Sequence, residues 1–95
     1  MAATRGVTTI DFGATGDDMV TTTVTGQAFV AADTDLEGYF LGEATADNDA
    51  DAHALARALV AITLGNRVPG VGFDIIAVCE DACVTGTFNI RWVGV

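Results

Sequence analysis

The chain has 95 residues, enough for one domain with a single core but not for two. Apolar residues make up 51% of it and the mean hydropathy is +0.43, which excludes intrinsic disorder, while no run reaches the roughly 18 apolar residues of a membrane-spanning helix. Thirteen acids stand against four bases (Arg5, Arg57, Arg67, Arg91, with no Lys), and a net charge of −9 repels phosphates and argues against nucleic-acid binding.

The opening residues (MAATR) lack the apolar stretch of a secretory signal, so synthesis in a cytosol is expected. Residues 1–6 are expected to form a flexible arm before a single domain. From Val7 to Phe12 the chain alternates, placing Thr8, Ile10 and Phe12 on one face of a strand. Residues 13–18 (GATGDD) form a turn-rich break. Met19 to Thr25 is rich in Val and Thr and reads as a second strand with Val20, Thr22 and Val24 on one face. Residues 26–32 either continue that strand or begin another. Leu36 to Glu43 reads as a strand that Gly42 ends or bulges.

The middle of the chain carries two patterns. Acids at 47, 49 and 51 precede an Ala/Leu run, which marks a helix start. Val60, Ile62 and Leu64 alternate with Ala61 and Thr63, which marks a strand. The reading adopted is a short helical turn over 47–54 and a strand from Arg57 to Leu64, with one helix over 49–63 as the alternative. Residues 68–70 (VPG) form a turn. Two strand-like runs follow, 71–79 and 83–95, joined by the acidic triplet Glu80, Asp81 and Ala82 as in a hairpin. Six or seven short strands with at most one short helix predict an all-β fold, an antiparallel β-sandwich or a jelly-roll-like barrel.

Candidate sites are few. Asp47, Asp49 and Asp51 resemble the opening of a calcium-binding EF-hand loop, but Ala52 stands at its glycine position and Ala58 at its bidentate glutamate. The plainer reading is a solvated acidic loop that caps a helical turn, with calcium as the alternative. His53 is the sole histidine, and the chain has no Ser and no nucleophile elbow, so no catalytic residues and no cofactor are assigned. Cys79 and Cys83 form a disulfide if the chain turns as a hairpin between them, or remain free thiols in a reducing cytosol. A metal pair would need two further ligands that no other cysteine supplies. The seven aromatic residues (Phe12, Phe29, Tyr39, Phe40, Phe73, Phe88, Trp92) are read as core. Arg91, Val93 and Val95 at the end of the last strand are read as an edge for assembly with neighbouring subunits.

Several segments also carry a resemblance. TIDFGA at 9–14, VTGQ at 24–27, EATAD at 43–47, VPGVGF at 68–73 and, most specifically, TGTFNIRW at 85–92 resemble a set of small structural proteins of tailed bacteriophages. The likeness spans nearly the whole chain and departs from the set in the Ala-rich stretch over 50–60. It implies a virion component made in the host cytoplasm, with no catalytic residues to carry over. The expected role is a capsid decoration or cement subunit binding the major capsid protein or other virion proteins as a homo-oligomer, for which a trimer fits. A tail-fibre or baseplate module contacting a host-surface ligand is the alternative. No nucleic-acid or membrane partner is expected.

Overall fold

The computed structural model describes residues 3–95. Six strands and one α-helix follow in the order β1 (Thr4–Asp11), β2 (Met19–Val24), β3 (Leu36–Phe40), α1 (Ala50–Leu59), β4 (Ala61–Val68), β5 (Gly72–Val78) and β6 (Thr87–Gly94). They form two three-stranded antiparallel sheets: sheet A in the order β1-β6-β3 and sheet B in the order β2-β5-β4. The sheets pack face to face as a sandwich that does not close into a barrel, with β3 beside β4 and β1 beside β2 where they approach. Among the described residues no helix is long and apolar enough to cross a membrane.

The period-2 pattern of each strand sets which side chains enter the core. Ile10, Phe40, Phe88, Ile90 and Trp92 point inward from sheet A, and Val24, Phe73, Ile75 and Ala77 from sheet B. β6 carries both aromatic clusters. Phe88 meets Phe12 and Phe40 edge-on at 5.9 and 5.5 Å between ring centres. Trp92 stacks on Phe29 at 6.0 Å and meets Phe73 edge-on at 5.2 Å. Its indole N–H donates to Thr8 Oγ1 (3.1 Å). The row that holds Trp92 pairs it with Gly6 on β1 and Gly38 on β3. A Cβ on Gly6 would lie 2.3 Å from the indole ring, so the strand can pass beneath it only as glycine.

Several expectations are corrected. Thr4, Arg5 and Gly6 belong to β1, because β6 runs far enough to pair with all three; residues 1 and 2 of the expected arm lie outside the described residues. Residues 26–32 form neither a strand nor an extension of β2. They lie in the loop that buries Val30, held by the Val30 carbonyl accepting from Gly70 N–H (2.8 Å). In the middle, the helix runs over 50–59 and the strand over 61–68, so Arg57 is helical. The Asp49 side chain accepts from Ala52 N–H as N-cap, and the seven Ala or Leu residues of 50–59 sustain the turns. The β-branched residues from Val60 onward then take extended backbone. Tyr39 is 39% exposed, on the outward phase of β3 beneath the Arg57 guanidinium (5.6 Å), and is not core. The last two strands are not a hairpin: β5 is the middle of sheet B and β6 the middle of sheet A, so residues 79–86 cross between sheets.

His53 pins the helix to that middle strand. It is fully buried, its Nδ1–H donates to the Asp49 carbonyl (2.9 Å), and its Nε2 accepts from Asn89 N–H (3.0 Å). Both bonds together require the neutral Nδ1–H tautomer. The ring also meets Phe88 edge-on at 4.9 Å. No buried side-chain polar atom among the described residues lacks a partner.

Two outcomes follow from these contacts. Replacing His53 by Ala opens a cavity and strands the Asn89 N–H, so the unfolding free energy is expected to fall by ~3 kcal/mol, read from urea midpoints followed by Trp92 fluorescence. Truncation after Arg91 removes Trp92 and the pairing partners of Thr4 and Leu36; a dispersed NMR spectrum from that truncated protein would refute this account of the core.

Candidate assembly face

The two sheets turn different chemistry outward. On sheet A the outward rows run Arg5–Val93–Glu37 and Val7–Arg91–Tyr39, followed by Thr9 and Asn89, whose side chains are hydrogen-bonded at 2.7 Å. That face mixes charges of both signs. On sheet B the rows run Met19–Val78–Ala61, Thr21–Ile76–Thr63 and Thr23–Asp74–Gly65. The third row is closed, because the Asp74 carboxylate accepts from Thr23 Oγ1 (2.8 Å) and Asn66 Nδ2 (2.9 Å). The first row is open: Met19 is 57% and Val78 46% exposed. Beside Ala61 the helix ends at Leu59, which is also exposed.

Val78 stands between two shallow depressions. One is lined by Asp18, Met19, Cys79, Glu80 and Asp81, the other by Leu59, Ala61, Glu80, Asp81 and Cys83. Local structure holds this end in place. Cys79, buried at the end of β5, donates its N–H to the Asp18 carbonyl (2.9 Å) and so ties the start of β2 to the crossing. Cys79 and Cys83 are joined as a disulfide with Cα atoms 5.9 Å apart. The bridge spans the crossing between sheets, where a hairpin was expected. Asp81 inside that loop takes the left-handed backbone (φ 56°), a conformation Asp tolerates better than most residues. The apolar row therefore ends against four exposed carboxylates, Asp17, Asp18, Glu80 and Asp81. All four Arg residues lie elsewhere: Arg5 and Arg91 on sheet A, Arg57 over Tyr39, and Arg67 donating to the Thr34 carbonyl.

The residues singled out from the sequence fall in other places. Asp47, Asp49 and Asp51 do not converge, and no cluster of three or more His, Cys, Asp or Glu side chains suited to a metal ion occurs among the described residues. Asp47 Oδ2 accepts from both Thr87 N–H and Thr87 Oγ1 (3.1 Å each), Asp49 caps α1, and Asp51 is exposed in its first turn. Asn48 Nδ2 donates to the Thr85 and Thr87 carbonyls (3.0 and 2.9 Å), and Thr45 Oγ1 also donates to Thr87 O (2.8 Å). The acidic loop is thus a clasp on the start of β6. It closes over Gly86, whose positive φ of 79° and 2.9 Å Cβ-to-Asp47 approach leave no room for a side chain.

Arg91, Val93 and Val95 are not at a free edge. β6 is paired on both sides, and Val95 exchanges two backbone hydrogen bonds with Asp35 (2.9 and 3.0 Å). A central strand offers no unpaired N–H or C=O row to a neighbour, which is the physical reason the edge reading fails. Met19, Val78 and Ala61 were not singled out in the sequence. The signal was there in phase: Met19 alternates out of step with Val20 and Val24, and Val78 out of step with Ile75 and Ala77.

Comparison of the chain with protein-family models, with curated proteins and with solved structures finds no match.

The disulfide closes a loop with a sequence separation of 4. By the chain-entropy relation its reduction is expected to lower stability by ~2 kcal/mol. Urea midpoints with and without a phosphine reductant measure this, and coincident midpoints would show that the crossing holds its shape without the bridge.

Proposed function

We propose that this chain is a non-catalytic structural subunit of a tailed-bacteriophage virion, a capsid decoration protein that seats on the major capsid protein through the outer face of sheet B. The observation that carries the assembly reading is the contrast between the two sheet faces. Sheet A turns mixed charge to solvent, whereas sheet B presents an open row of Met19, Val78 and Ala61. A small domain gains from covering such a row in an assembly. The virion setting is supported by the sequence resemblance, centred on Thr85 to Trp92, and by that alone. The engagement of both His53 ring nitrogens with backbone groups also favours binding over catalysis, since it leaves the only imidazole without a free nitrogen for a substrate. The expected homo-oligomer would form through other surfaces and leave sheet B to the capsid.

Quantitative proteomics of purified particles tests the reading. A decoration subunit is expected at a copy number comparable to that of the major capsid protein, and to rebind emptied capsids. Absence from particles overturns the virion reading. A few copies lost together with the tail would assign the chain to the tail instead.

A further inference from the structure

We infer that the surface this face takes is that of a different protein, apolar at its centre and lined by Lys or Arg at its rim. The inference rests on reading sheet B as an assembly face, and not on the virion setting. An apolar row can be covered by a lipid surface, by a second copy of this chain, or by another protein, and the charges around the row discriminate among them. Asp17, Asp18, Glu80 and Asp81 border Met19 and Val78, with Glu80 and Asp81 lining the depressions on both sides of Val78. None of the four Arg residues reaches this end: two lie on the outward face of sheet A, and the other two are engaged at Tyr39 and at the Thr34 carbonyl.

Anionic lipid headgroups would meet these carboxylates with like charge. A symmetric pair of copies would bring the same patch onto itself, opposing eight carboxylates across a small apolar contact, in a chain whose net charge is already −9. A basic rim meets them with opposite charge, guides encounter and fixes orientation, while Met19, Val78 and Ala61 supply the apolar contact. The third row is consistent with the assignment: the Asp74 carboxylate is engaged by Thr23 and Asn66, and Asp17 accepts from Met19 N–H, whereas the exposed Asp18, Glu80 and Asp81 present their carboxylates at one end of the sheet.

Titration of isotopically labelled protein with short amphipathic peptides tests this directly, using one peptide of Leu and Lys, one of Leu and Glu, and one of Ser and Lys. The Leu/Lys peptide is expected to shift the amide signals of Met19, Ile76, Val78, Glu80 and Asp81, with binding that weakens as salt is raised. The double substitution Met19→Ser with Val78→Ser keeps the charge and is expected to weaken that binding about tenfold. Val7→Ser on sheet A is expected to leave it unchanged. The inference is overturned if the Leu/Glu peptide binds as well, or if the Ser/Lys peptide matches the Leu/Lys peptide. It is equally overturned if the shifts map to sheet A, if no peptide binds, or if the same residues report self-association in sedimentation and dilution series. Absence from particles would remove the virion setting and leave this result intact, so the two failures can be told apart.

Discussion

The fold depends on one steric arrangement: Trp92 fills the space that Gly6, its partner on β1, leaves empty. Gly6 stands opposite it on β1, and the indole lies across the space its missing side chain leaves; Gly38, opposite it on β3, leaves room instead for Leu64 of β4. Phe29 covers one face of the ring, Phe73 meets the other sheet's side edge-on, and Thr8 accepts its N–H. A large aromatic at this position brings sheet A into contact with Phe73 of sheet B, and burying it contributes on the order of 2–3 kcal/mol. The same packing fixes register. A slip of β1 by one residue would place a side chain where the indole now lies and turn the apolar phase of that strand to water, and a slip of β3 would drive a side chain into Leu64.

β5 and β6 are consecutive in the chain and are the central strands of opposite sheets. The segment between them therefore connects the two middles of the sandwich, and everything that steadies it steadies both sheets. The disulfide, the Cys79 amide on Asp18 and the clasp of residues 45–49 over Gly86 all act on this short crossing. The acids that the sequence shows as a solvated loop are in part structural, since Asp47 and Asp49 spend their oxygens on backbone N–H groups. The unspent acids lie at the other end of the crossing, beside Val78.

How far the sequence was legible depends on which periodicities were local. β1, β2 and β6 alternate cleanly, so their existence and inward phases could be read from the residues, as could the all-β class. The helix over 50–59 and the strand over 61–68 overlapped in the reading because Leu59 and Val60 suit both patterns, and only the Asp49 cap and packing against Phe88 decide between them. Tyr39 sits in an apolar run that mimics a buried strand, although its own phase is outward. The hairpin and edge readings failed for a different reason. Which strands are neighbours is set by contacts distant in sequence, and no local pattern distinguishes a strand that continues its own sheet from one that crosses to the other. The assembly face was hidden for the same reason, because Met19, Val78 and Ala61 become a row only once β2, β5 and β4 are in register.

The pairing of β1 with β6 also sets an order in time. β1 is translated before the other strands described, and its ladder partner β6 after them. β2 waits in the same way for β5. Both strands thus emerge well before the strands they pair with, and sheet A cannot close until Thr87 to Gly94 has emerged. Long-range closure of this kind slows folding and leaves apolar strands exposed while they wait. The Thr-rich and Gly-rich composition of residues 4–26 suits that interval, because few large apolar side chains are uncovered before β5 and β6 arrive.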